Sequence, residues 1–338
     1  MNSLVCQSPG IFAYEERAMP TLIKGHVLVQ VKRVGICGTD LHAYKGTQPY
    51  FNYPRILGHE IAGIVIDNNG SNTCSNKDQV SIIPYFSCGD CIACKNGKEN
   101  CCVQMQVFGV HIDGGMREYI VVPETSIVKC PGLDLDALAM IEPFSIGAHG
   151  MRKAQLNKGE YVLIMGAGAI GLGAMEYARI NGAHVIAMET DHFRLDFAKK
   201  YLNIKHTVNP LEEEVMDKLK KITNNDMPTV VVDATGNQKA INGGLQYLAH
   251  GGKYILIGLQ KQELIFSHPE FHKRETTLMS SRNANRIDFE WVVEQIKNEA
   301  IVPANYITHS VKFEELKSVY DSFYQPGQKV IKIMVEFD

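Results

Sequence analysis

The segment YVLIMGAGAIGLGAMEYARIN, residues 161–181, decides the fold of the second half of the chain. Its first five residues form an apolar run typical of a buried strand, and Gly166, Gly168 and Gly171 follow with the spacing G-x-G-x-x-G. The first glycine permits a tight turn, the second lets a pyrophosphate approach the backbone, and the third lets the next helix pack on the strand. Gly182 is placed to end that helix. The segment therefore predicts the opening of a dinucleotide-binding domain.

The chain continues this alternation beyond residue 181. Further apolar runs, HVIAMET, TVVVDATG and KYILIG, alternate with helix-length segments at 169–182, 191–202, 211–223 and 237–249. Strands that alternate with helices indicate an α/β domain with a doubly wound parallel sheet. A further helical stretch is expected near 286–299, before the closing strand KVIKIMVEF.

The fingerprint also indicates which cofactor this domain binds. Its candidate contacts are Gly166, Gly168, Ile170 and Gly171, at a helix N-terminus that supplies amide donors. Glu189 ends the next apolar run, 18 residues beyond Gly171, where a carboxylate accepts from the ribose 2′-hydroxyl. Because a carboxylate repels a 2′-phosphate, we expect NAD, although the nearby Arg194 leaves NADP open. The alternatives are an empty glycine-rich turn, another nucleotide or a flavin.

The first 130 residues have a different character, with short β-branched runs broken by glycine, proline and asparagine. The formal charge of −3 and the 45% hydrophobic content argue against a nucleic-acid partner and against disorder. The most apolar stretch, 161–175, is shorter than the ~20 residues that cross a bilayer. The N-terminus lacks a basic region followed by an apolar one, so we expect a cytoplasmic protein without a membrane partner.

Five of the nine cysteines fall within residues 88–102. Cys88, Cys91, Cys94 and Cys102 have the spacing C-x2-C-x2-C-x7-C, which lets four thiolates surround one tetrahedral zinc. Such a closed site is structural, because no position remains for substrate. Cys101 is a possible substitute for Cys102. A redox thiol cluster and an iron–sulfur cluster are the alternatives.

A second candidate metal site is dispersed along the chain. Cys37 lies in VGICGTDLH, His59 and Glu60 in ILGHEIAG, and Glu142 in MIEPFSIGAHG. A thiolate, an imidazole and a carboxylate can hold zinc with one position open for water or substrate. Each residue alone is weak evidence, since a lone Cys or His is more often part of the core.

The motifs CGTDLH, GHE, CGDCIACKNGKENCC, IEPFSIG and GAGAIG, in this order, resemble the zinc-containing medium-chain dehydrogenase/reductase family over nearly the whole chain. The resemblance implies a GroES-like β-rich catalytic domain, residues 1–147 with 286–338, and an inserted Rossmann domain, residues 148–285. It also implies an active site in the cleft between them, NAD, two zinc ions per chain, and a homodimer or homotetramer.

The resemblance further indicates the branch of the family. Glu142 stands where dehydrogenases of simple alcohols place a thiolate ligand, and the same Glu-Pro pair occurs in the sorbitol (polyol) and threonine dehydrogenases. The stretches GVHIDGGMREY and SSRNANRIDFEWV resemble sugar-acid dehydrogenases that act on hexonates such as galactonate or idonate. Cys37 and His59 would be direct zinc ligands, with either Glu60 or Glu142 as the third.

The expected reaction is hydride transfer between a secondary alcohol of a polyol or sugar acid and NAD. A Lewis-acidic zinc would lower the pKa of the substrate hydroxyl. Thr39 and His42 would carry the released proton through the cofactor ribose, and water with a glutamate is the route in the polyol branch. Alternatively, Thr39 only bonds to the backbone and His42 is a surface residue.

Candidate substrate residues follow from the same resemblance and are Lys45, Phe108, His111 and Arg282. A sugar acid needs a basic partner, whereas a neutral polyol needs only hydroxyl partners. Three other functions stay open: an inactive zinc- and nucleotide-binding protein, a zinc-independent reductase that uses NADPH, and an L-threonine 3-dehydrogenase-like enzyme. The ligand set argues against the second of these.

Overall fold

The structure, a computed structural model, describes residues 1–325 and 327–338. These residues form two compact units, Met1–Pro143 with Asn285–Asp338, and Phe144–Ala284. The domain limits expected from the sequence, after residues 147 and 285, lie four residues and one residue from these boundaries. Within the described ranges, the helices are too short or too polar to cross a membrane.

Over the described residues, the strands β1 to β18 are, in chain order, Asn2–Ser8, Ile11–Glu16, His26–Ile36, Arg55–Ile56, Glu60–Asp67, Gln79–Ile82, Tyr85–Phe86, Gln106–Val107, Tyr119–Pro123, Ile127–Lys129, Tyr161–Met165, His184–Met188, His206–Val208, Val230–Asp233, Lys253–Leu256, Thr277–Ser280, Ile307–Lys312 and Lys332–Glu336. The helices α1 to α11 are Gly38–Tyr44, Ile92–Lys95, Leu135–Ala139, Ile141–Ala154, Ala169–Ile180, His192–Leu202, Val215–Ile222, Gln238–Gly244, His268–Lys273, Arg286–Lys297 and Leu316–Val319.

The first unit is organised by its long strand β3. The main sheet has the order β10-β6-β5-β3-β18-β17, and β9 also pairs with β3. Alternate residues of β3, Val27, Val29 and Val31, are buried in a core shared with the C-terminal strand β18. The antiparallel pairing of β18 with β3 brings the end of the chain beside the residues that precede Cys37.

The second unit has the parallel sheet that the sequence predicts. Its strand order is β13-β12-β11-β14-β15-β16, the usual order of a dinucleotide-binding fold, so the predicted fold class is confirmed. Gly182 has a φ of +80° directly after α5, as expected of a residue that ends a helix.

Two helices of this unit are shorter than predicted. Helix α7 begins at Val215 rather than near residue 211, because the Asn209 side chain accepts the Leu211 amide in a preceding turn. Helix α8 ends at Gly244 and continues as a 3-10 turn, since Gly243 and Gly244 are poor helix formers.

We predict that Gly171→Ala destabilises the protein by about 1–3 kcal/mol. A Cβ atom at this position would lie 2.0 Å from the carbonyl oxygen of Gly166, so strand β11 and helix α5 would have to separate. Gly243→Ala is the matched control, because its Cβ meets nothing closer than 3.6 Å and alanine favours the helix. Denaturation followed by circular dichroism measures both variants, and equal stability of the two would contradict this account.

Candidate active site

Cys37 lies at the junction of strand β3 and helix α1, where it is the N-terminal cap of the helix. Its backbone N–H donates to Asp40 Oδ2 at 2.9 Å, which closes a capping box on the first turn. The turn therefore holds the thiol at the end of the strand.

The Asp40 carboxylate also orders the segment that carries His59. Asp40 is 1% exposed, and its Oδ1 accepts the Gly58 N–H at 3.1 Å and lies 3.8 Å from His59 Nδ1. Burial alone would lower the pKa of His59, but Asp40 and Cys37 raise it well above its ordinary value. The negative charges around His59 thus favour a positive charge at this imidazole.

Glu60 begins strand β5 next to His59 and is fully buried. Both of its carboxylate oxygens lie 2.6 Å from Lys332 Nζ, which also donates to the Ile36 carbonyl at 3.1 Å. Lys332 is 2% exposed, so this is a buried ion pair. Opposite Glu60 in the sheet is Gly35, where an added Cβ would lie 2.0 Å from Glu60 Oε2. The carboxylate fits only because position 35 lacks a side chain.

Cys37, His59 and Glu60 together form a group of possible metal ligands. One ligand atom from each lies within 4.8 Å of the other two. His59 Nδ1 is buried and makes no hydrogen bond with any described residue. Sulfur, nitrogen and oxygen donors in one buried place suit zinc and leave a fourth position for another ligand.

Glu142 lies outside this group, although its charge acts on the same residues. It is 3% exposed in the first turn of α4, and its Oε1 accepts a hydrogen bond from the Tyr85 hydroxyl. Burial raises the pKa of Glu142 to about 7, against the opposing effect of His59. Between the two carboxylates that the sequence left open, the structure brings Glu60 into the ligand group.

The cysteine cluster is a second group of possible ligands, and it contains Cys102 rather than the exposed Cys101. Its sulfur atoms all lie within 4.8 Å of one another, with 3.4 Å between those of Cys88 and Cys102. Backbone amides lower the pKa of Cys91 to about 6, which favours its thiolate. Four thiols in this arrangement suit a closed structural zinc site.

The two expected proton carriers lie on helix α1, directly after Cys37. Thr39 is half-buried, and His42 is exposed with its Nδ1 2.9 Å from Thr47 Oγ1. Both residues therefore belong to the helix that Cys37 caps, and their role stays a prediction.

The four candidate substrate residues do not lie together. Lys45 follows α1 with its Nζ 5.8 Å from the centre of the Tyr324 ring. Phe108 is 3% exposed and packs on Phe86 in the core, so it has the surroundings of a core residue. His111 Nδ1 accepts the Val107 N–H at 3.2 Å. Arg282 is exposed and belongs to the second unit.

The glycine-rich turn of the second unit has the expected form. Gly166 has a φ of +96°, and Gly168 caps α5, in which Ile170 lies in the first turn. An added Cβ at Gly168 would meet only Arg194 Nη1, at 3.8 Å, so a phosphate can approach this turn. Glu189 Oε2 accepts the Ala167 N–H at 2.9 Å and lies 3.8 Å from Arg194 Nη1. These residues fit a dinucleotide.

Four residues of the metal-ligand group and its surroundings were not found from the sequence: Gly35, Asp40, Tyr85 and Lys332. Asp40 had a local signal, because an acid three residues after a helix cap is typical of a capping box. Tyr85 and Lys332 had none, since their partners are 57 and 272 residues away.

Two family models match the chain, the alcohol dehydrogenase GroES-like domain over residues 23–132 and the zinc-binding dehydrogenase over residues 169–298. The L-galactonate-5-dehydrogenase of Escherichia coli K12 is 41% identical over 100% of this chain and 99% of its own length. The chain belongs to the zinc-binding dehydrogenase family.

Solved structures agree with this assignment. An alcohol dehydrogenase (rspB) from Escherichia coli CFT073, complexed with NADH, has a TM-score of 0.92 and 30% identity, with 100% of this chain and 99% of that chain covered. The L-idonate 5-dehydrogenase of Escherichia coli K-12 has a TM-score of 0.91 and 26% identity, with 99% and 98% covered.

Gly35→Ala is expected to weaken zinc binding at Cys37, His59 and Glu60 by about 10–100-fold, because the new methyl group displaces the Glu60 carboxylate. Gly38→Ala is the matched control, since its Cβ would meet no atom within 4 Å. Zinc content after dialysis against a weak chelator measures the effect. Equal zinc retention in the two variants would show that this contact is unimportant.

We also predict two zinc ions per chain, which single substitutions remove separately. Cys37→Ser should retain one zinc and its fold, whereas Cys94→Ser should lose the other zinc and unfold more easily. Elemental analysis and thermal denaturation measure both effects. Two zinc ions in the Cys37→Ser protein would place the second ion elsewhere.

Proposed function

We propose that this protein is an NAD-dependent zinc dehydrogenase that transfers a hydride between a secondary alcohol of a sugar acid or polyol and NAD. The observation that carries the proposal is the buried group of Cys37, His59 and Glu60 in a chain of this family. The similarity to an L-galactonate-5-dehydrogenase supports a hexonate as the substrate.

In this proposal Cys37, His59 and Glu60 hold the catalytic zinc, and Cys88, Cys91, Cys94 and Cys102 hold the structural one. When bound, the catalytic zinc supplies Lewis acidity, which lowers the pKa of a hydroxyl group. The protein positions these ligands through two buried contacts: the hydrogen bond from the Gly58 N–H to Asp40 and the ion pair of Lys332 with Glu60. Thr39 and His42, or the Glu60 carboxylate with water, receive the proton.

Gly166, Gly168, Ile170 and Gly171 bind the pyrophosphate of NAD in this proposal, and Glu189 accepts from the ribose. The relative complexed with NADH supports this choice of cofactor. Glu189 is half-buried and its negative charge disfavours a 2′-phosphate, whereas Arg194 beside it reduces that preference.

A sugar acid is favoured over a neutral polyol by the position of Lys45. Its Nζ lies over the ring of Tyr324, whose pKa is raised mainly by burial and also by the charges of Asp40 and Cys37. Lys45 thus lies at a tyrosine that is within electrostatic reach of the metal-ligand group. A substrate that binds the metal through one hydroxyl can place a carboxylate near this ammonium group.

We further propose a cytoplasmic homodimer or homotetramer without nucleic-acid or membrane partners. The nine free cysteines are consistent with a reducing compartment. Self-association is supported by three exposed apolar side chains, those of Leu264, Ile265 and Phe266. They belong to the same unit as the edge strand β16.

A substrate panel tests this function. With NAD, we expect the highest kcat/KM for hexonates, a lower value for neutral polyols, and little turnover of L-threonine or with NADP. The absorbance of reduced nicotinamide measures each rate, and the Cys37→Ser protein is the control without catalytic zinc. Turnover of threonine alone would assign the protein to the threonine dehydrogenases. No turnover by protein with two zinc ions would support an inactive binding protein.

A further inference from the structure

Two buried carboxylates lie near the proposed catalytic zinc, and each has a different partner. Glu60 makes an ion pair through both oxygens with Lys332, and its oxygen belongs to the metal-ligand group. Glu142 accepts a hydrogen bond from the Tyr85 hydroxyl and lies outside the group. The two carboxylates therefore differ in the residue that holds each of them, Lys332 for Glu60 and Tyr85 for Glu142.

Tyr85 is well placed to restrain Glu142. It lies in strand β7, where it pairs with Val107 of β8, and its ring meets the edge of Phe289 at 6.3 Å between centres. Burial raises the pKa of Tyr85 well above its ordinary value, and Glu142 raises it further. The hydroxyl thus stays a hydrogen-bond donor, directed at Glu142 from a fixed backbone.

Without this donor, Glu142 would be an unpaired buried carboxylate close to a divalent cation. The charges of His59, Glu60 and Lys332 already act on Glu142, so the metal-ligand group is within its electrostatic reach. A carboxylate is a good zinc ligand, and a fourth protein ligand would convert an open site into a closed one.

We propose that Tyr85 is a positioning residue that holds Glu142 beside the metal-ligand group but outside it, and so keeps the fourth zinc position available to substrate. This inference rests on the proposed function, because it concerns the catalytic zinc. The Tyr85 hydroxyl donates to Glu142, so in this proposal Tyr85 acts through Glu142.

The test compares cobalt-exchanged protein in four forms: the natural sequence, Tyr85→Phe, Glu142→Gln and Tyr85→Phe/Glu142→Gln. The visible absorption of Co²⁺ reports the number and type of its ligands. Tyr254→Phe is the matched control, because it removes a buried hydroxyl that donates to the Ile241 carbonyl at 2.7 Å in the other unit. Zinc loss to a chelator and KM are measured on the same proteins.

We expect Tyr85→Phe to change the Co²⁺ spectrum, slow zinc loss by about 10–100-fold, and raise KM more than it changes kcat. The double variant should have the spectrum of Glu142→Gln, since the amide is a weaker ligand, and Tyr254→Phe should match the natural protein.

Two results would overturn the proposal. One is a Tyr85→Phe spectrum and zinc-loss rate equal to those of the natural protein. The other is a change that persists in the double variant, because it would not depend on Glu142. Both are distinct from failure of the proposed function, which would appear as absent zinc or absent turnover in the natural protein.

Discussion

The buried carboxylate of Asp40 joins the two segments on which the metal centre depends. One oxygen accepts the N–H of Cys37 at the start of α1, and the other accepts the N–H of Gly58 just before β5. The thiol and the imidazole are therefore held near each other by hydrogen bonds that need no metal. Because the ligands are already ordered, less conformational freedom is lost when an ion binds. Glu60 follows His59 directly, and its carboxylate is held by the ion pair with Lys332.

The parts of this protein that could be predicted from sequence are those whose signals are local. The strand, glycine turn and helix at 161–181 lie within one supersecondary unit, and the thiols of the cysteine cluster lie within fifteen residues. Gly182 ends its helix as predicted because glycine, which has no Cβ atom, readily adopts the φ of +80° found there. The helix limits near 211 and 249 were wrong, since side-chain hydrogen bonds and paired glycines override the apolar pattern there.

The remaining parts depend on pairings between distant segments. Lys332 reaches Glu60 only because β18 pairs with β3, and no spacing rule predicts which of many lysines enters a sheet. The placement of Glu60 with Cys37 and His59, and of Glu142 with Tyr85, likewise depends on contacts between distant segments. For Phe108 the role in substrate binding stays a prediction, because an aromatic residue that packs in a core has the same sequence pattern as one that contacts substrate.

The charges around the ion pair of Lys332 and Glu60 explain it better than a contribution to stability does. Burying two opposite charges costs desolvation that their attraction barely offsets, so such a pair is weak evidence for a contribution to stability. Several acidic groups, however, lie in one buried place, where their mutual repulsion would oppose folding before any metal binds. These groups belong to Cys37, Asp40, Glu60 and Glu142. Lys332 provides a permanent positive charge among them, and it is also bonded to the Ile36 carbonyl, one residue before Cys37. The lysine thus lets the chain assemble an anionic ligand group before an ion binds. The same positive charge would make Glu60 a weaker zinc ligand.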